Sequence, residues 1–571
     1  EADETRLSKA LRSPTIPATL HASLMARVDR LGPVARQVAE TGAVFGREFT
    51  YDLLRSVWSG APREMDTGLD QLRSAGLVFA RGAGDQTTYT FKHALVQDAA
   101  YGTLLRARRY EVHARIAHML EQQYPDICEI QPELLARHLQ QAQLPERAVG
   151  YLQRAGDRAA KRSAYREAIA HLRNALQLLE SLPETSMREE QELQLLIALG
   201  PALMTTKSTT APEIGRVYAR ARELAQNAQR SADLFPTIWG AWLIAYTSSD
   251  FVTAQRLVEN LFSIGAAINE PAFNLQAHHA AWPTYCSTGA LMEARRHIAD
   301  GLALYDPESH GAHALQYGAH DPGVCGYVTD AATTAVLGLL DQSLLQLEKG
   351  LALAQRLDHT QTSIQAFSFA AEVHHIRRDP QQVEAFVTRV LPLLSEGGSA
   401  VAIANAMMLR AWARVISGDI ENGLAIMRDG LAAWRQTGSA FRIPERLARA
   451  AETYRLADRP DEAMTLIAEA LNRSDDRWLA PELHRIRGEL LLGAGRHNEA
   501  EEALQNAVLL AREQNARLLQ LRAANSLVIC LQRRGERRQA YELLQPIYAW
   551  FTEGFDTTDL ISAQALIKQL H

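Results

Sequence analysis

A unit of roughly 40 residues recurs along the second half of the chain, and this periodicity constrains the fold more than any other feature. In residues 418–434, GDIENGLAIMRDGLAAW, a turn residue opens the unit and small residues follow five and twelve positions later. The equivalents of Gly423 elsewhere are Ala294, Ser343, Val383, Ala463, Ala500 and Ala540. Self-similarity at such a period is typical of a solenoid.

Each unit has the pattern of a helical hairpin. Its two small residues lie two helical turns apart on one face, where a neighbouring helix can approach closely. The Gly or Asp at the start of the unit ends the preceding helix and permits a tight turn. One hairpin cannot bury its own apolar stripe, so stability requires stacking of neighbours. The repeats therefore predict a mostly α-helical protein.

Composition favours a folded cytoplasmic protein and excludes several other classes. The chain has 571 residues, which exceeds a single core, and its net charge of −6 argues against broad nucleic-acid affinity. No run approaches the roughly 18 apolar residues of a membrane span, and the N-terminus lacks the apolar region of a secretory signal. The four cysteines are far apart, which suits a reducing compartment. Since an initiator Met is missing, we expect a fragment or a processed product.

Residues 31–125 have the pattern of a winged helix. Three helical segments, VARQVAETGAVFG, FTYDLLRSVW and PREMDTGLDQLRSAG, precede two strands, LVFARG and TTYTFKH, joined by a turn at residues 82–85. In winged helices that bind DNA, the third helix enters the major groove. Here that helix carries two arginines and three acidic residues, so a structural role is favoured. Residues 1–30 have the pattern of the end of a missing NTPase or helical domain, or of a linker.

Residues 126–571 are predicted to form the helical array. Near its start lies a unit close to a tetratricopeptide repeat. The residues at the characteristic positions of this unit are Ala155, Gly156 and Ala159 on one helix and Tyr165, Ala168, Leu172, Ala175 and Pro183 on the next. The 86 residues between Ala168 and Ala254 leave room for two units of the same size. We therefore predict a tetratricopeptide-like α-solenoid of about ten helical hairpins, closed by a C-terminal helix.

The sequence contains no catalytic motif that we can defend. It lacks the phosphate-binding G-x-x-x-x-G-K-[ST] loop, and G-x-S-x-G and H-E-x-x-H are also absent. Histidines at positions 278, 279, 310, 313, 320, 374 and 375 raise the question of a metal. Zinc needs three or four converging ligands, whereas adjacent histidines on a helix point about 100° apart. We therefore predict no metal site and interpret these residues as partly buried helix histidines.

One step in the repeat is 49 residues long, and its extra length falls in residues 304–328, LYDPESHGAHALQYGAHDPGVCGYV. Long loops in arrays tend to lie on one face, often the binding face. The candidate ligand- or partner-binding residues are Trp282, Tyr285, Tyr317, His320 and Asp321, with Tyr305 and Cys325 nearby. The alternative is a loop that packs on its own hairpin.

Several long stretches resemble a known family in the same order along the chain. TIPATLHASLMARVDRLGPVARQVAETGAVFGREFTYDLL and YTFKHALVQDAAYGTLL resemble the segment after the NTPase core of bacterial STAND-type ATPases. ALGPALMTTKSTTAPEIGRVYARARELA, QYGAHDPGVC and FTEGFDTTDL resemble large bacterial class III adenylate/guanylate cyclase-like proteins. That family joins a cyclase homology domain, an AAA/STAND ATPase domain and C-terminal tetratricopeptide-like repeats.

The resemblance implies that this chain is the winged-helix and repeat region of such a protein, without enzyme activity of its own. It implies no cofactor in this stretch, and ATP or ADP with Mg²⁺ in the full-length protein, which would have ATPase and adenylate cyclase activity. It also implies a histidine that senses the β-phosphate of bound ADP. FKHALVQDAAY resembles that motif, with His93 in the sensor position and Ala94 where plant relatives often have Asp. Otherwise His93 caps its helix.

The leading hypothesis is a regulatory sensor and interaction module that controls an upstream cyclase-like domain. Its partners would be a protein, peptide or small-molecule inducer on the repeat surface and the upstream NTPase domain, with activation-linked oligomerisation. No nucleic acid or membrane is expected. Two alternatives stay open: the sensor region of a STAND-type transcription activator, and a stand-alone repeat scaffold.

Overall fold

The computed structural model describes residues 25–206, 211–228, 231–311, 313–318, 320–397, 399–473 and 476–570. Most of the predicted linker or NTPase end, residues 1–24 of 1–30, lies outside the described residues. The chain divides into two compact units, one formed by residues 1–155 and 174–183 and the other by residues 156–173 and 184–571.

The first unit begins with three helices and a three-stranded antiparallel sheet. The elements are α1 (Pro33–Phe45), β1 (Glu48–Thr50), α2 (Tyr51–Val57), α3 (Pro62–Ser74), β2 (Val78–Arg81) and β3 (Thr88–Phe91), with sheet order β1-β3-β2. The sequence predicts only two strands here. The additional strand β1 pairs Phe49 with Tyr89, and the two rings stack at 5.7 Å. Its three residues are too few for a periodic signal, and the predicted second helix takes in two of them, Phe49 and Thr50.

Four further helices follow in the first unit. They are α4 (Ala94–Thr103), α5 (Arg106–Gln123), α6 (Pro125–Ile130) and α7 (Pro132–Gln141). After them come two helices, α8 (Pro145–Lys161) and α9 (Tyr165–Glu180), whose residues are divided between the two units. The core beneath the sheet contains Val38, Leu54, Leu69 and Phe91, all at most 2% exposed.

The second unit is an array of helical hairpins, as the repeat predicts. Its elements are α10 (Ser186–Thr206), α11 (Pro212–Asn227), α12 (Ser231–Thr247), α13 (Phe251–Ile268), α14 (Pro271–Ser287), α15 (Leu291–Leu304), α16 (Pro307–His310), α17 (His313–Gln316), α18 (Pro322–Val336), α19 (Leu340–Leu357), α20 (Thr360–Ile376), α21 (Pro380–Gly397), α22 (Ala400–Ile416), α23 (Ile420–Gln436), α24 (Ile443–Leu456), α25 (Pro460–Leu471), α26 (Ala480–Gly493), α27 (His497–Glu513), α28 (Arg517–Arg533), α29 (Arg537–Tyr548) and α30 (Thr558–Leu570). With α8 and α9, the described residues contain ten hairpins, and α30 follows the last.

The repeat positions have the roles that the pattern predicts. The turn residues Gly289, Gly338, Gly418, Asp458, Gly495 and Gly535 all adopt positive φ angles, between 56° and 94°. At Gly423 an added Cβ would lie 2.6 Å from Val415, so the second helix of that hairpin needs a residue without a side chain. The small residues thus set the distance between the paired helices.

The array coils tightly enough for distant hairpin turns to meet. Ser249 Oγ donates to the carbonyl of Ala440 at 3.1 Å, and the N–H of Arg477 donates to Ser287 at 2.7 Å. Further on, the N–H of Asp341 donates to a carboxylate oxygen of Glu553 at 3.0 Å. The first helices of the later hairpins therefore face one another across an enclosed interior. Within the described residues, no helix combines the length and apolarity that crossing a bilayer requires.

Candidate functional site

The extra residues of the 49-residue step form structure of their own rather than an irregular loop. Two single-turn helices, α16 and α17, follow α15, and α18 already begins at Pro322. Asp306 caps α16 by accepting from the N–H of Ser309 at 3.1 Å, and its own N–H donates to His310 Nδ1 at 3.0 Å. We call residues 305–321 the inserted segment.

The inserted segment packs against a helix two hairpins earlier in the chain. The Tyr317 ring, 4% exposed, lies edge-on to Phe235 and Trp239 of α12 at 6.1 and 5.5 Å between centroids. Gly318 has a φ of 75°, and a Cβ there would lie 2.9 Å from the Trp239 ring. Packing is therefore not confined to the segment's own hairpin. Tyr317 serves as a buried anchor and not as an open binding side chain.

Two of the predicted binding residues are structural in their contacts. Trp282 of α14 is fully buried, and its ring lies 5.0 Å from that of His279. Tyr285, four residues before Gly289, stacks flat on His297 at 5.1 Å. Neither residue lines a described pocket. Both rings contact neighbouring helices, Trp282 through Ile298 and Cys325, and Tyr285 through His297.

His320 lies beside two other potential ligands. Its Nε2 is 3.2 Å from Nε2 of His279, and with Cys325 Sγ these atoms all lie within 4.8 Å of one another. Burial lowers the pKa of His320 to about 4 and that of His279 well below its ordinary value, so both rings are neutral near pH 7. Burial also raises the pKa of the Cys325 thiol to about 11. The sequence analysis predicts no metal site, because adjacent helix histidines point apart, and it does not group His279 and His320 with Cys325, which lie in separate segments.

Asp321 lines a pocket of about 290 Å³. The other lining residues are Lys161, Gly311, Ala314, Leu357, His359 and Thr362. Three of the seven belong to the inserted segment, so the pocket lies where the period of the array is broken. A cavity therefore lies at the insertion, where the sequence predicts a binding site. Of the five predicted binding residues, Asp321 lines this cavity.

Asp321 and its neighbours fix the polar wall of this pocket. The Asp321 carboxylate accepts from the N–H of Val324 at 2.8 Å and from the Tyr305 hydroxyl at 2.9 Å. Its pKa is raised by burial, against the effect of these hydrogen bonds. The N–H of Asp321 donates to Thr362 Oγ1 at 3.1 Å, and that oxygen lies 2.9 Å from His359 Nδ1. His359 Nε2 is buried in the pocket wall without a hydrogen-bond partner.

A network of arginines and carboxylates, buried except for the partly exposed Glu372 and Glu489, fills the interior of the later hairpins. Its members lie on the first helices and on α30: Glu372, Glu445, Arg449, Glu452, Glu482, Arg485, Glu489, Arg522 and Asp559. Arg485, 1% exposed, binds Glu452 at 2.8 Å, Glu482 at 2.9 Å and Glu489 at 2.7 Å. A void of about 20 Å³ remains within the network, lined by Arg449, Glu482 and Arg522 among others, with room for about one water. This part of the interior is therefore closed by the chain's own side chains.

Neighbouring arginines lower the pKa values of Glu452, Glu489 and Asp559 in this network, whereas burial raises the pKa of Glu372. Burial alone would raise the pKa of Glu489, but Arg485 and Arg455 outweigh it and lower the pKa to about 2. Arg522 binds Asp559 at 2.6 Å and donates to the carbonyl of Ile376 at 2.7 Å, 146 residues away. Sequence reasoning missed this network. Charged residues at spacings of three and four along one helix face, as in IPERLARAAETYRL, are the sequence feature that could have indicated it.

His93 stands at the N-cap of α4. Its side chain is exposed and makes no capping hydrogen bond. His93 therefore stands where a helix begins after the sheet. Its side chain does not cap that helix, because it makes no hydrogen bond to the first turn.

No family model matches the chain. It is 29% identical over 535 residues to an uncharacterised protein of Rhizobium meliloti (strain 1021), covering 92% of this chain and 51% of that protein. The chain thus spans about half the length of this curated relative.

Similar solved structures share the helical architecture at low identity. A Rap protein complexed with competence and sporulation factor is 9% identical, covers 64% of this chain and 98% of its own, and has a TM-score of 0.48. The Rap conjugation gene regulator of plasmid pLS20 with the Phr* peptide is 14% identical, covers 72% and 98%, and scores 0.43. A STAND protein with a tetratricopeptide repeat sensor from Pyrococcus horikoshii is 11% identical, covers 95% and 66%, and scores 0.33. All three scores are below 0.5.

Proposed function

We propose that this chain is the non-enzymatic sensor and interaction module of a STAND-type signalling ATPase. In this proposal the hairpin array binds a peptide, protein or small-molecule signal, and residues 31–125 are a winged helix that acts on an upstream nucleotide switch. The switch, with ATP or ADP and Mg²⁺, would control a cyclase-like effector. Regulation of this kind requires two states with different affinities for the signal.

The pocket at the inserted segment is the observation that carries the sensor proposal. Over the later hairpins the interior is closed by arginine–carboxylate pairs such as Arg485–Glu452 and Arg522–Asp559. At the inserted segment, in contrast, a cavity of about 290 Å³ is bordered by polar side chains. Pockets that combine apolar walls with a few convergent polar groups are the usual places for ligands.

The pocket's polar groups favour a ligand with an anionic or carbonyl oxygen. Thr362 Oγ1 already accepts from the N–H of Asp321, so its own hydrogen is free to bond His359 Nδ1. In that arrangement His359, which lines the pocket, carries its proton on Nε2, a buried donor without a hydrogen-bond partner. Lys161, exposed at the rim, supplies a positive charge. A peptide or small molecule that ends in a carboxylate fits this combination.

Two features support the nucleotide-switch part of the proposal. The order of helices and strands from α1 to β3 agrees with a winged helix, and His93 opens the helix that follows β3. A helix start offers unpaired N–H groups and the positive end of the helix dipole, which suit a phosphate. Gene sequence flanking this stretch separates the alternatives: a cyclase homology domain supports the proposal, and a basic helix-turn-helix supports a transcription activator.

The pocket can be tested with a library of carboxylate-bearing peptides and small molecules. We expect ligand-observed NMR to find binders of the wild-type chain. Their affinity for the Lys161→Glu variant should be lower by at least about tenfold, because a favourable charge contact is replaced by a repulsive one. Lys349→Glu, a charge reversal at an exposed residue of α19, is the matched control and should retain them. Equal binding by both variants, or no binder at all, would contradict a carboxylate-binding sensor pocket.

A further inference from the structure

We infer that His279, His320 and Cys325 form a zinc-binding site that ties the inserted segment to the hairpin array. The three residues come from α14, from the end of the inserted segment and from the second turn of α18. A cation bound by all three would therefore join elements that are separate in the sequence. This inference is independent of the signal ligand and of the nucleotide switch.

The distances suit a tetrahedral metal. Zinc–nitrogen bonds of 2.0–2.1 Å place two imidazole ligand atoms about 3.3 Å apart, and a zinc–sulfur bond of 2.3 Å places nitrogen and sulfur about 3.6 Å apart. Here the two Nε2 atoms are 3.2 Å apart, and Cys325 Sγ completes a group within 4.8 Å. Convergence on one cation requires only side-chain adjustments of about an ångström.

The hydrogen bonds on the other side of each imidazole orient it as a ligand. His279 Nδ1 lies 2.9 Å from Gln276 Oε1, and His320 Nδ1 lies 2.8 Å from the carbonyl oxygen of Gly318. Since these oxygens accept hydrogen bonds, both Nδ1 atoms carry the proton, and both neutral rings direct an Nε2 lone pair at the other. Two lone pairs at 3.2 Å repel, whereas a cation between them is bound by both. Metal-ligating histidines characteristically donate their other N–H to such an oxygen.

The orientation of the Gln276 amide supports this arrangement. Its Nε2 lies 2.9 Å from His313 Nδ1, so the amide can donate to His313 while its oxygen accepts from His279. A reversed amide would place the His279 proton on Nε2, which would then form an ordinary hydrogen bond to His320. That arrangement needs no metal, and it is the alternative that the experiment must separate.

Burial raises the pKa of the Cys325 thiol, so zinc binding at this site must release its proton. Two features of its surroundings assist the thiolate once the cation is bound. Cys325 is the fourth residue of α18, close to the positive end of the helix dipole. Gln365 Nε2 lies 3.7 Å from Sγ, within reach of a hydrogen bond to sulfur. Two imidazoles and one thiolate suit Zn²⁺ better than hard cations such as Mg²⁺ or Ca²⁺, which prefer oxygen. Three protein ligands leave a fourth position for water or another ligand.

The test uses the purified 571-residue chain with Zn²⁺ and with Co²⁺ as the spectroscopic probe. We expect one zinc per chain after dialysis, and a thiolate-to-cobalt charge-transfer band that Cys325→Ser removes. Removing the hydrogen-bond partner that orients a metal ligand costs about 10–100-fold in affinity, so Gln276→Leu should weaken zinc binding by that factor and His279→Gln by more.

Matched controls come from the same region of the array. Cys286→Ser removes another buried thiol of α14, and His278→Gln changes the neighbouring histidine, which contacts His297 rather than His320. Both controls should keep one zinc per chain, and circular dichroism checks that each variant is folded. The site is overturned if the wild-type chain retains no stoichiometric zinc, or if the controls lose zinc and the cobalt band as fully as the ligand variants. Either result leaves the His279–His320 contact as an ordinary hydrogen bond.

Discussion

His93 stands at the start of α4 with its imidazole exposed and without a hydrogen bond to the first turn of the helix. A side chain in this position is free to donate to a phosphate placed at the helix start. If the full-length protein contains the proposed nucleotide switch, His93→Ala should speed ADP release by about tenfold, the loss of one hydrogen bond to a charged group. Stopped-flow measurement of ADP off-rates checks this, and basal output should rise with it.

His118→Ala is the control for that experiment. His118 is also an exposed histidine of the first unit but lies in the middle of α5, away from a helix start. Its ADP off-rate should equal that of the wild-type protein. If His93→Ala and the control release ADP at the same rate, His93 has no sensor role and the N-terminal unit needs another route to the nucleotide.

At the scale of single elements, one buried ring packs the inserted segment against α12. Tyr317 packs on Phe235 and Trp239, so Tyr317→Ala leaves a cavity against α12. Truncation of a large buried aromatic costs about 3–5 kcal/mol of unfolding free energy. We expect faster amide hydrogen exchange in residues 305–318, with protection of the later hairpins unchanged. Exchange followed by mass spectrometry measures both regions at once.

Tyr317→Phe keeps the ring and is the matched control. It should exchange like the wild-type chain, because the packing surface is retained. Unchanged protection of the inserted segment in Tyr317→Ala would show that the contacts with α12 are not what holds it, and would leave the other hydrogen bonds of the segment, such as those of Asp306 and His320, as its support.

The hairpins were predictable from the sequence because their signals are local. A left-handed residue such as Gly418 and a small residue such as Gly423 act within one turn and one helix pair, and both recur. The inserted segment was predictable only as extra length. Its contact between Tyr317 and Trp239 joins positions that no period relates, so nothing in the sequence indicated that the segment packs into the array.

For the whole molecule, the interior of the coil was the least predictable part. Pairs such as Arg522 with the carbonyl of Ile376 depend on how far the array coils, which is the sum of small rotations between hairpins. The repeat pattern indicates stacking but not the size of the turn. A buried arginine network is also weak evidence for stability by itself, since desolvation offsets much of the attraction between charges. Its measurable consequence is pH dependence.

Carboxylates of the network should make stability fall steeply in acid. The folded-state pKa of Glu489 is about 2, against an ordinary value of 4.5, so its contribution is complete above pH 4.5 and is lost as pH falls towards 2. The shift corresponds to a loss on the order of 3 kcal/mol. Asp559 and Glu452 act in the same direction, because neighbouring arginines, opposed by burial, lower their pKa values. Urea unfolding at several pH values between 7 and 2 measures the slope.

Glu489→Gln separates this network from the general effect of acid on a protein. The amide cannot titrate, so we expect lower stability at pH 7 and a shallower fall in unfolding free energy between pH 4.5 and 2. Glu542→Gln is the control, because Glu542 forms an exposed pair with Arg538 and such pairs contribute at most about 1 kcal/mol. If the two variants and the wild-type chain lose stability with the same slope, Glu489 is not held ionised by Arg485 in the folded protein. Other carboxylates would then be responsible for the acid sensitivity of the closed interior.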